Sequence, residues 1–525
     1  MKNIDPSFTT IKKMVCPFCS FGCEFGVVLN DFGVKGVEYT KEGDNAGRLC
    51  PRGSASALYL NHPKRLVKPM KSGKPTDWQK FLKELKQVIA KPQNTVVTFD
   101  RNLTLEEYSA ITGFCDNTGI KTTASTYLEP ETVLRRFLDK PFALNEIEDA
   151  GMIVVVGDIF NQTPMLSQPL IKWKLSDRKH RLVVIESINC HTAGFANDFL
   201  KTKLGTEPLV LLALAQEEFN GVKDIESLTG VSKEKINEIS AAFKKAGKGL
   251  LIASLPFAHT YDPVLFAEAL AKFSEFSGKR VVPFMEFAGF EGNEHFGAVV
   301  ELLKKRKIKY LVNFGELFPY YYPQLSKVLK SASVYSASTI KYNGYTMFPS
   351  ALNLEKAGTI ITTFGKKSLT GAVEPASGAK TVQEILSLLG KSESTGKTLS
   401  APKMKVDVQE RVDGVIAKVK KERKKKTFRM FGEKKAYNFY AFFEEEKVTL
   451  NPSDAEELGL KANDVVAVKS PYGKIELKAI FSRDLAPGTA AVPAETPEVR
   501  GLFDFEIKDN IVNFIPTEVE IWRKG

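Results

Sequence analysis

The sequence predicts a multidomain α/β protein, with a small β-rich domain at the amino end, parallel-sheet α/β domains in the middle and a β-rich domain at the carboxyl end. Three observations point there. Half of the six cysteines fall within the stretch "VCPFCSFGCEFGVVLND", residues 15–31. Seven short β-branched runs alternate with helical patterns through the middle of the chain. Beyond residue 427 the pattern returns to alternation by twos, interrupted by turn residues.

At 525 residues the chain is too long for one ordinary core, and at roughly 100–200 residues per domain it divides into about three or four. Apolar content of 43% and charged content of 26% are ordinary for a globular fold. No apolar run reaches the ~18 residues that cross a bilayer. The opening "MKNIDPSFTTIKKMVCPFC" has neither an apolar h-region nor a twin arginine, so a cytoplasmic location is expected, with membranes reached only through partners. The net charge of +12 is interspersed along most of the chain. Its densest block, "KVKKERKKK" at Lys418–Lys426, reads as a solvated linker or exposed helix. No basic motif interleaved with aromatics suggests nucleic acid.

The amino-terminal pattern is Cys16, two residues, Cys19, three residues, Cys23, then a gap to Cys50 in "LCPRGSA". Six cysteines in so long a chain make no disulfide framework, and clustered thiols in a reducing compartment hold metal or do redox chemistry. Four thiolates from two short segments suit a [4Fe-4S] cube, one sulfur per iron. A zinc site is the alternative, but zinc ribbons present two symmetric CxxC pairs. Within the gap, "FGVVLNDFGVKGVEYT" alternates about "NDFG" and predicts a β-hairpin that returns the chain to the cysteines.

The runs "NTVVTF", "MIVVVGD", "RLVVIES", "GLLIAS", "KRVVPF", "KYLVNFG" and "SVYSAS" predict buried parallel strands. Helices are expected in "EPLVLLALAQEEF", "KEKINEISAAFKKA" and "DPVLFAEALAKFSEFS". Two strands, "VVVGDIFNQTPM" and "YLVNFGELFPYYYP", end in a glycine and polar residues, where open α/β sheets bind nucleotides. From Leu389 to about Thr427 the chain turns Ser-, Lys- and Pro-rich, which reads as a linker carrying one exposed helix. After it, "KVTLNPSDAEELGLKANDVVAVKSPYGKIELKAIFSRDLAPGTAAVP" predicts a compact β-rich domain with "SPYG" as a turn.

The succession CPFCSFGC, hairpin, "GRLCPRGSASALYLNHPKRLVKPM" and "TDWQKFLKELKQVI" resembles the amino-terminal domain of the molybdopterin-guanine-dinucleotide oxidoreductases. That family includes formate dehydrogenases, nitrate reductases and the large iron-sulfur subunit of respiratory complex I. The resemblance implies a [4Fe-4S] cluster on Cys16, Cys19, Cys23 and Cys50, with Arg52 between cluster and pterin. It implies two related α/β domains that bind molybdopterin guanine dinucleotide with molybdenum or tungsten, Gly157, Asp158 and Asn161 near one nucleotide and Gly315 and Glu316 near the other. The stretch from Met347, with Glu355, Gly358 and Thr359, is similar to a family segment that supports fold more than chemistry. "LNPSDAEELGLKANDVVAV" is similar to the family's carboxyl-terminal β-barrel. The expected partition is an iron-sulfur domain at 1–70, α/β structure at 71–245 with 330–388, a second α/β domain at 246–329, a linker at 389–427 and the barrel at 428–525.

The chain also departs from the family. "TASTYLEPETVLRRF" places Leu128 where catalytic members supply Cys, selenocysteine, Ser or Asp to the metal, and Glu129 where formate dehydrogenases have His. "ESINCHTAG" stands where they carry a stretch like DPRRT. Cys190 and His191 there read as a half-buried thiol and a surface imidazole, Cys115 as a buried core cysteine, and His62 as packed before Pro63. No catalytic residue is assigned. The chain is expected to be an iron-sulfur redox subunit, formate dehydrogenase-like if the pterin metal is retained, or a scaffold that has lost it, as in complex I. Its expected partners are ferredoxin-like, flavin or hydrogenase-type subunits.

Overall fold

The structure, a computed structural model, describes residues 9–99, 103–124, 130–217, 224–285, 296–315, 322–390, 406–421, 426–433 and 446–524, apart from single positions 343, 372, 377, 495 and 510. The chain forms two units, Met1–Leu128 with Glu286–Ser400 and Glu129–Met285 with Ala401–Gly525.

The first unit begins with a three-stranded antiparallel sheet of Thr10–Val15, Glu24–Asn30 and Gly33–Glu38, in that order. The expected hairpin is its second half. Its turn closes where Phe32 N donates to Asn30 Oδ1 at 2.9 Å, and Gly33 takes φ +100°, which a side chain would resist. A seven-stranded sheet follows in the order Lys74–Pro75, Met70–Lys71, Met347–Pro349, Ser333–Ser338, Tyr310–Phe314, Thr95–Phe99 and Lys121–Ala124. The last five strands are parallel. Every residue of Thr95–Phe99 is buried, as expected of a strand covered on both faces. Helix Trp78–Ile89 turns Phe81, Leu85 and Val88 inward, and the Phe81 ring lies 5.6 Å from that of Phe348 on the sheet. Helix Leu105–Thr118 starts in a capping box between Thr104 and Glu107. A separate hairpin pairs Ala357–Thr362 with Gly365–Thr370.

The second unit holds an all-parallel sheet in the order Asp198–Lys201, Arg181–Glu186, Met152–Val156, Gly249–Ala253 and Arg280–Pro283. The expected helices form at Glu207–Leu214, Lys233–Lys245 and Pro263–Ser277. Its carboxyl-terminal part is a closed six-stranded barrel in the order Thr427–Gly432, Thr489–Val492, Lys447–Leu450, Lys474–Phe481, Val465–Lys469 and Thr517–Arg523. Closure leaves no free sheet edge. The "SPYG" turn is present, with Ser470 N donating to Gly473 O at 2.9 Å.

Two expectations need correction. The 71–245 and 246–329 partition cuts across the sheets, because Gly249–Ala253 and Arg280–Pro283 pair with strands before residue 245. Strands Thr95–Phe99 and Lys121–Ala124 instead belong with Tyr310–Phe314. Strand runs carry no label of the sheet they join, so contiguity in sequence misled the division. The 389–427 segment is also more than a linker with an exposed helix. Helix Val408–Lys420 buries Arg411, Val412, Val415 and Ile416, and its three apolar side chains join the second unit's core. Arg411 pairs with Asp262 at 2.8 Å and also with Asp509. Among the described residues no helix is long and apolar enough to cross a membrane.

Candidate functional site

Cys16 follows directly on strand Thr10–Val15, and Cys23 directly precedes strand Glu24–Asn30. The loop between them is closed by Cys16 N donating to Cys23 O at 2.7 Å and Gly22 N to Cys19 O at 3.2 Å. Cys50 caps the short helix Pro51–Ser54, and a Cβ placed on Gly53 would lie 3.6 Å from Cys16 Sγ, so this helix packs on the first cysteine. Cys16, Cys23 and Cys50 are buried and Cys19 is half-buried, and none of the four is in a disulfide.

The four thiols share one electrostatic environment. Burial pushes the Cys16 thiol well up, Cys50 and Cys19 push it further, and the Arg52 guanidinium opposes them. Burial likewise raises Cys23, aided by Cys16, Cys19 and Cys50 and opposed by Lys367. Four such sulfurs become thiolates together only beside concentrated positive charge, which iron supplies. Among the described residues, no three His, Cys, Asp or Glu side chains gather so as to hold a metal ion between them. The thiols are nonetheless close enough to raise one another. Four thiols on two short segments can give one sulfur to each iron of a cube.

Arg52 is 2% exposed. Phe18 and Phe21 are buried beside the cysteines. The hairpin from residue 357 reaches this loop from far along the chain: Thr363 N donates to Ser20 O at 2.7 Å, the Ser20 and Thr363 hydroxyls are 2.8 Å apart, and the Phe21 and Phe364 rings meet edge to face at 4.8 Å. Lys367 Nζ donates to Gly22 O at 3.0 Å and pairs with Glu24 at 3.2 Å and Asp44 at 2.8 Å. Nothing in the spacing of "FGKKSLT" marked this lysine. Nearby, Thr359 binds Glu106 through N at 2.7 Å and Oγ1 at 2.8 Å. Glu355 pairs with Arg65 at 2.7 Å. A Cβ on Gly358, at φ +149°, would come within 2.7 Å of Thr104.

Gly157 and Gly315 each end a strand at the point where the strand order of its sheet reverses. From Met152–Val156 the chain proceeds one way to Arg181–Glu186 and Asp198–Lys201, whereas Gly249–Ala253 and Arg280–Pro283 lie on the other side. In the first unit's sheet, Tyr310–Phe314 and Thr95–Phe99 flank the corresponding reversal. Such switch points are where open α/β sheets take ligands. Gly157 has φ +99° and Gly315 φ +132°. Glu316, Leu128 and Glu129 lie outside the described residues.

Beside Gly157 the second unit gathers polar groups that sequence reasoning missed. Ser254, just past strand Gly249–Ala253, is 1% exposed and its hydroxyl has no hydrogen-bond partner. It lies close against Gly157, where a Cβ would be 2.5 Å from Ser254 Oγ. Asp158 accepts from Thr192 Oγ1 at 2.7 Å, while Asn161 sits in the short helix Ile159–Gln162. Burial raises Glu186 to about 7, with Asp158 adding to it, and raises Glu207 to about 8, with Glu186 adding. His259 is lowered to about 4 by burial, so its neutral ring donates from Nε2 to Gly432 O at 2.8 Å. Its Nδ1 then faces Glu186 Oε1 at 3.8 Å. An acid ending the buried run "RLVVIE" was the available signal for Glu186. Cys190 caps helix His191–Gly194, accepting from Ala193 N at 3.4 Å, and His191 is exposed. Cys115 is buried in helix Leu105–Thr118, and His62 Nδ1 accepts from Lys64 N at 3.1 Å.

The thiol nest of the first unit and the closed barrel of the second are characteristic of an iron-sulfur oxidoreductase built on a dinucleotide-binding fold. The family comparisons agree: residues 9–62 match the molybdopterin oxidoreductase Fe4S4 domain, and residues 429–514 the molydopterin dinucleotide binding domain. Both matched segments are domains of the molybdopterin oxidoreductases, the first a domain for a 4Fe-4S cluster and the second one for molybdopterin dinucleotide.

Among curated relatives, it is 27% identical over 255 residues to the NADPH-Fe(3+) oxidoreductase subunit alpha of Geobacter sulfurreducens, a match covering 45% of this chain and 30% of that protein. It is 25% identical over 274 residues to the F420-dependent formate dehydrogenase subunit alpha of Methanocaldococcus jannaschii, covering 46% and 40%. The match to a nitrate reductase of Klebsiella oxytoca is 26% over 218 residues, covering 38% and 25%. These matches thus span well under half of each relative's length. In fold the chain resembles acetylene hydratase from Pelobacter acetylenicus, with a TM-score of 0.73 at 14% identity over 98% of this chain and 100% of that one.

Proposed function

We propose that the chain is an iron-sulfur redox subunit that passes electrons through one [4Fe-4S] cluster held by Cys16, Cys19, Cys23 and Cys50, within a larger complex. The single observation that carries this is the set of four neighbouring thiols, three of them buried, which act on one another electrostatically. Bound there, the cluster supplies one-electron transfer. The chain does the rest. Arg52 offsets thiolate charge beside Cys16, and Phe18, Phe21 and Phe364 exclude water from the loop. A lone cluster is neither source nor sink, so a partner must exchange electrons with it. Ferredoxin-like, flavin or hydrogenase-type subunits fit that task, and two relatives are themselves named as alpha subunits.

A second function is supported by Gly157 and Gly315 at the two switch points. These loops would hold the nucleotide ends of molybdopterin guanine dinucleotide, and the chain would then act as a formate dehydrogenase-like catalyst. Asp158, Glu186 and the Ser254 hydroxyl suit the sugar hydroxyls and base N–H groups, whereas the Asp158 carboxylate would repel a phosphate.

Metal analysis of anaerobically purified chain separates the two. About four irons per chain without molybdenum or tungsten supports the electron carrier. About one molybdenum or tungsten with extractable pterin supports the catalyst, and a formate–viologen assay then tests the substrate. Zinc in place of iron refutes both. Cys19→Ala is expected to remove most of the cluster absorbance, and full iron content in that variant would overturn the ligand assignment.

A further inference from the structure

We propose that the hairpin Ala357–Thr370 is a clasp on the cysteine loop and that its Lys367 is a positioning residue that raises the reduction potential of the cluster. This rests on the cluster assignment proposed above.

The clasp is built from buried groups. Ser20, Thr362 and Thr363 are each 2% exposed and Phe21 is fully buried. Gly22, at φ +60°, is the point of closest approach, for a Cβ there would lie 2.7 Å from Thr362 Cγ2. These contacts hold the loop without any charged group. Lys367 adds something that fastening does not require. Its side chain is 12% exposed, and its ammonium rests on the carbonyl of the peptide unit that leads into Cys23.

The two carboxylates that balance it, Glu24 and Asp44, are 38% and 33% exposed and so better screened by water than the lysine. Reduction adds one electron, and one unit of negative charge, to a cluster held by four thiolates. A buried cation beside that charge stabilises the reduced form more than the oxidised form. Removing it moves the midpoint down, and removing a nearby carboxylate moves it up.

The test is an anaerobic redox titration of the full chain, poised with dithionite and mediators and read by electron paramagnetic resonance, with iron counted in each sample. Lys367→Met should retain its iron and shift the reduction equilibrium roughly tenfold toward the oxidised form, about 59 mV for one electron. Lys367→Arg should restore the midpoint to near that of the unaltered chain, and Asp44→Asn should raise it. A fully loaded Lys367→Met with an unchanged midpoint overturns the proposal. If that variant holds no iron, Asp44→Asn, which retains the lysine, decides: a midpoint no higher than that of the unaltered chain overturns it. Absence of iron from the unaltered chain is a different failure. It sinks the cluster assignment, and this proposal with it.

Discussion

Arg65 and Glu355, 290 residues apart, meet in a buried ion pair: Nη2 of the arginine lies 2.8 and 2.7 Å from the two carboxylate oxygens. The side chains are 6% and 2% exposed. The carboxylate also accepts from Leu352 N at 2.8 Å and Ala376 N at 3.1 Å, and Arg65 Nη1 reaches Thr339 O at 3.3 Å. Removing one partner strands the other charge away from water. Glu355→Gln is therefore expected to cost about 3–5 kcal/mol in denaturant unfolding. An apolar Arg65→Met, Glu355→Leu double variant should lose less than the single one, and equal or greater loss would count against an ion-pair role.

Gly22→Ala should open the clasp. The new methyl would meet Thr362 Cγ2 at 2.7 Å while the backbone sits at φ +60°. The expected result is lower iron content per chain and a lower melting temperature. Thr362→Ser removes the offending methyl but keeps the hydroxyl that donates to Gly365 O at 2.8 Å. Combined with Gly22→Ala it should recover much of the iron; no recovery would mean that backbone strain, not the collision, dominates.

Stability should fall as pH rises through the neutral range, and Glu186 and Glu207 should be the cause. Their ordinary value of 4.5 is raised by burial to about 7 and about 8. The folded chain thus keeps two protons that the unfolded chain has released. The stabilisation is complete below about pH 4.5 and is lost as pH climbs through 7 and 8. Within that window the loss is on the order of 1.4 kcal/mol per group and pH unit. Urea midpoints measured from pH 5.5 to 8.5 check it: Glu207→Gln should flatten the slope, and a slope identical to that of the parent would exclude Glu207 as a source.

Gly157→Ala should destabilise the second unit, because its Cβ would lie 2.5 Å from Ser254 Oγ and 3.0 Å from Ser254 O at φ +99°. Ser254→Ala should behave oppositely in thermal melts. It removes a buried hydroxyl that has no partner, a change that is neutral or stabilising unless a ligand uses the group. If the switch-point crevice takes a guanosine nucleotide, calorimetry with GMP should show weaker binding to Ser254→Ala. Equal binding by the two proteins would place the nucleotide elsewhere.

Much of the fold was legible because it rests on local periodicity. All seven β-branched runs formed parallel strands, since only a strand covered on both faces reads as a continuous apolar run. The shorter strands Lys121–Ala124, Asp198–Lys201 and Met347–Pro349 went unread. They are three or four residues of ordinary composition, recruited by the register of a neighbour. Helix Val408–Lys420 was placed but misjudged, because the lysines at its end outweighed a stripe of valines and isoleucine that faces the core.

By itself the sequence determined the chemistry available: four cysteines in two short segments, and two glycines at strand ends, because ligand type and turn conformation are properties of individual residues and their spacing. Only the tertiary structure decided what surrounds them. Lys367 reaches Gly22 across 345 residues, and Ser254, Glu186 and Glu207 acquire their unusual states through burial. Charge burial and contact between distant segments depend on how sheets assemble, and pairing across hundreds of residues leaves no periodic trace in the chain.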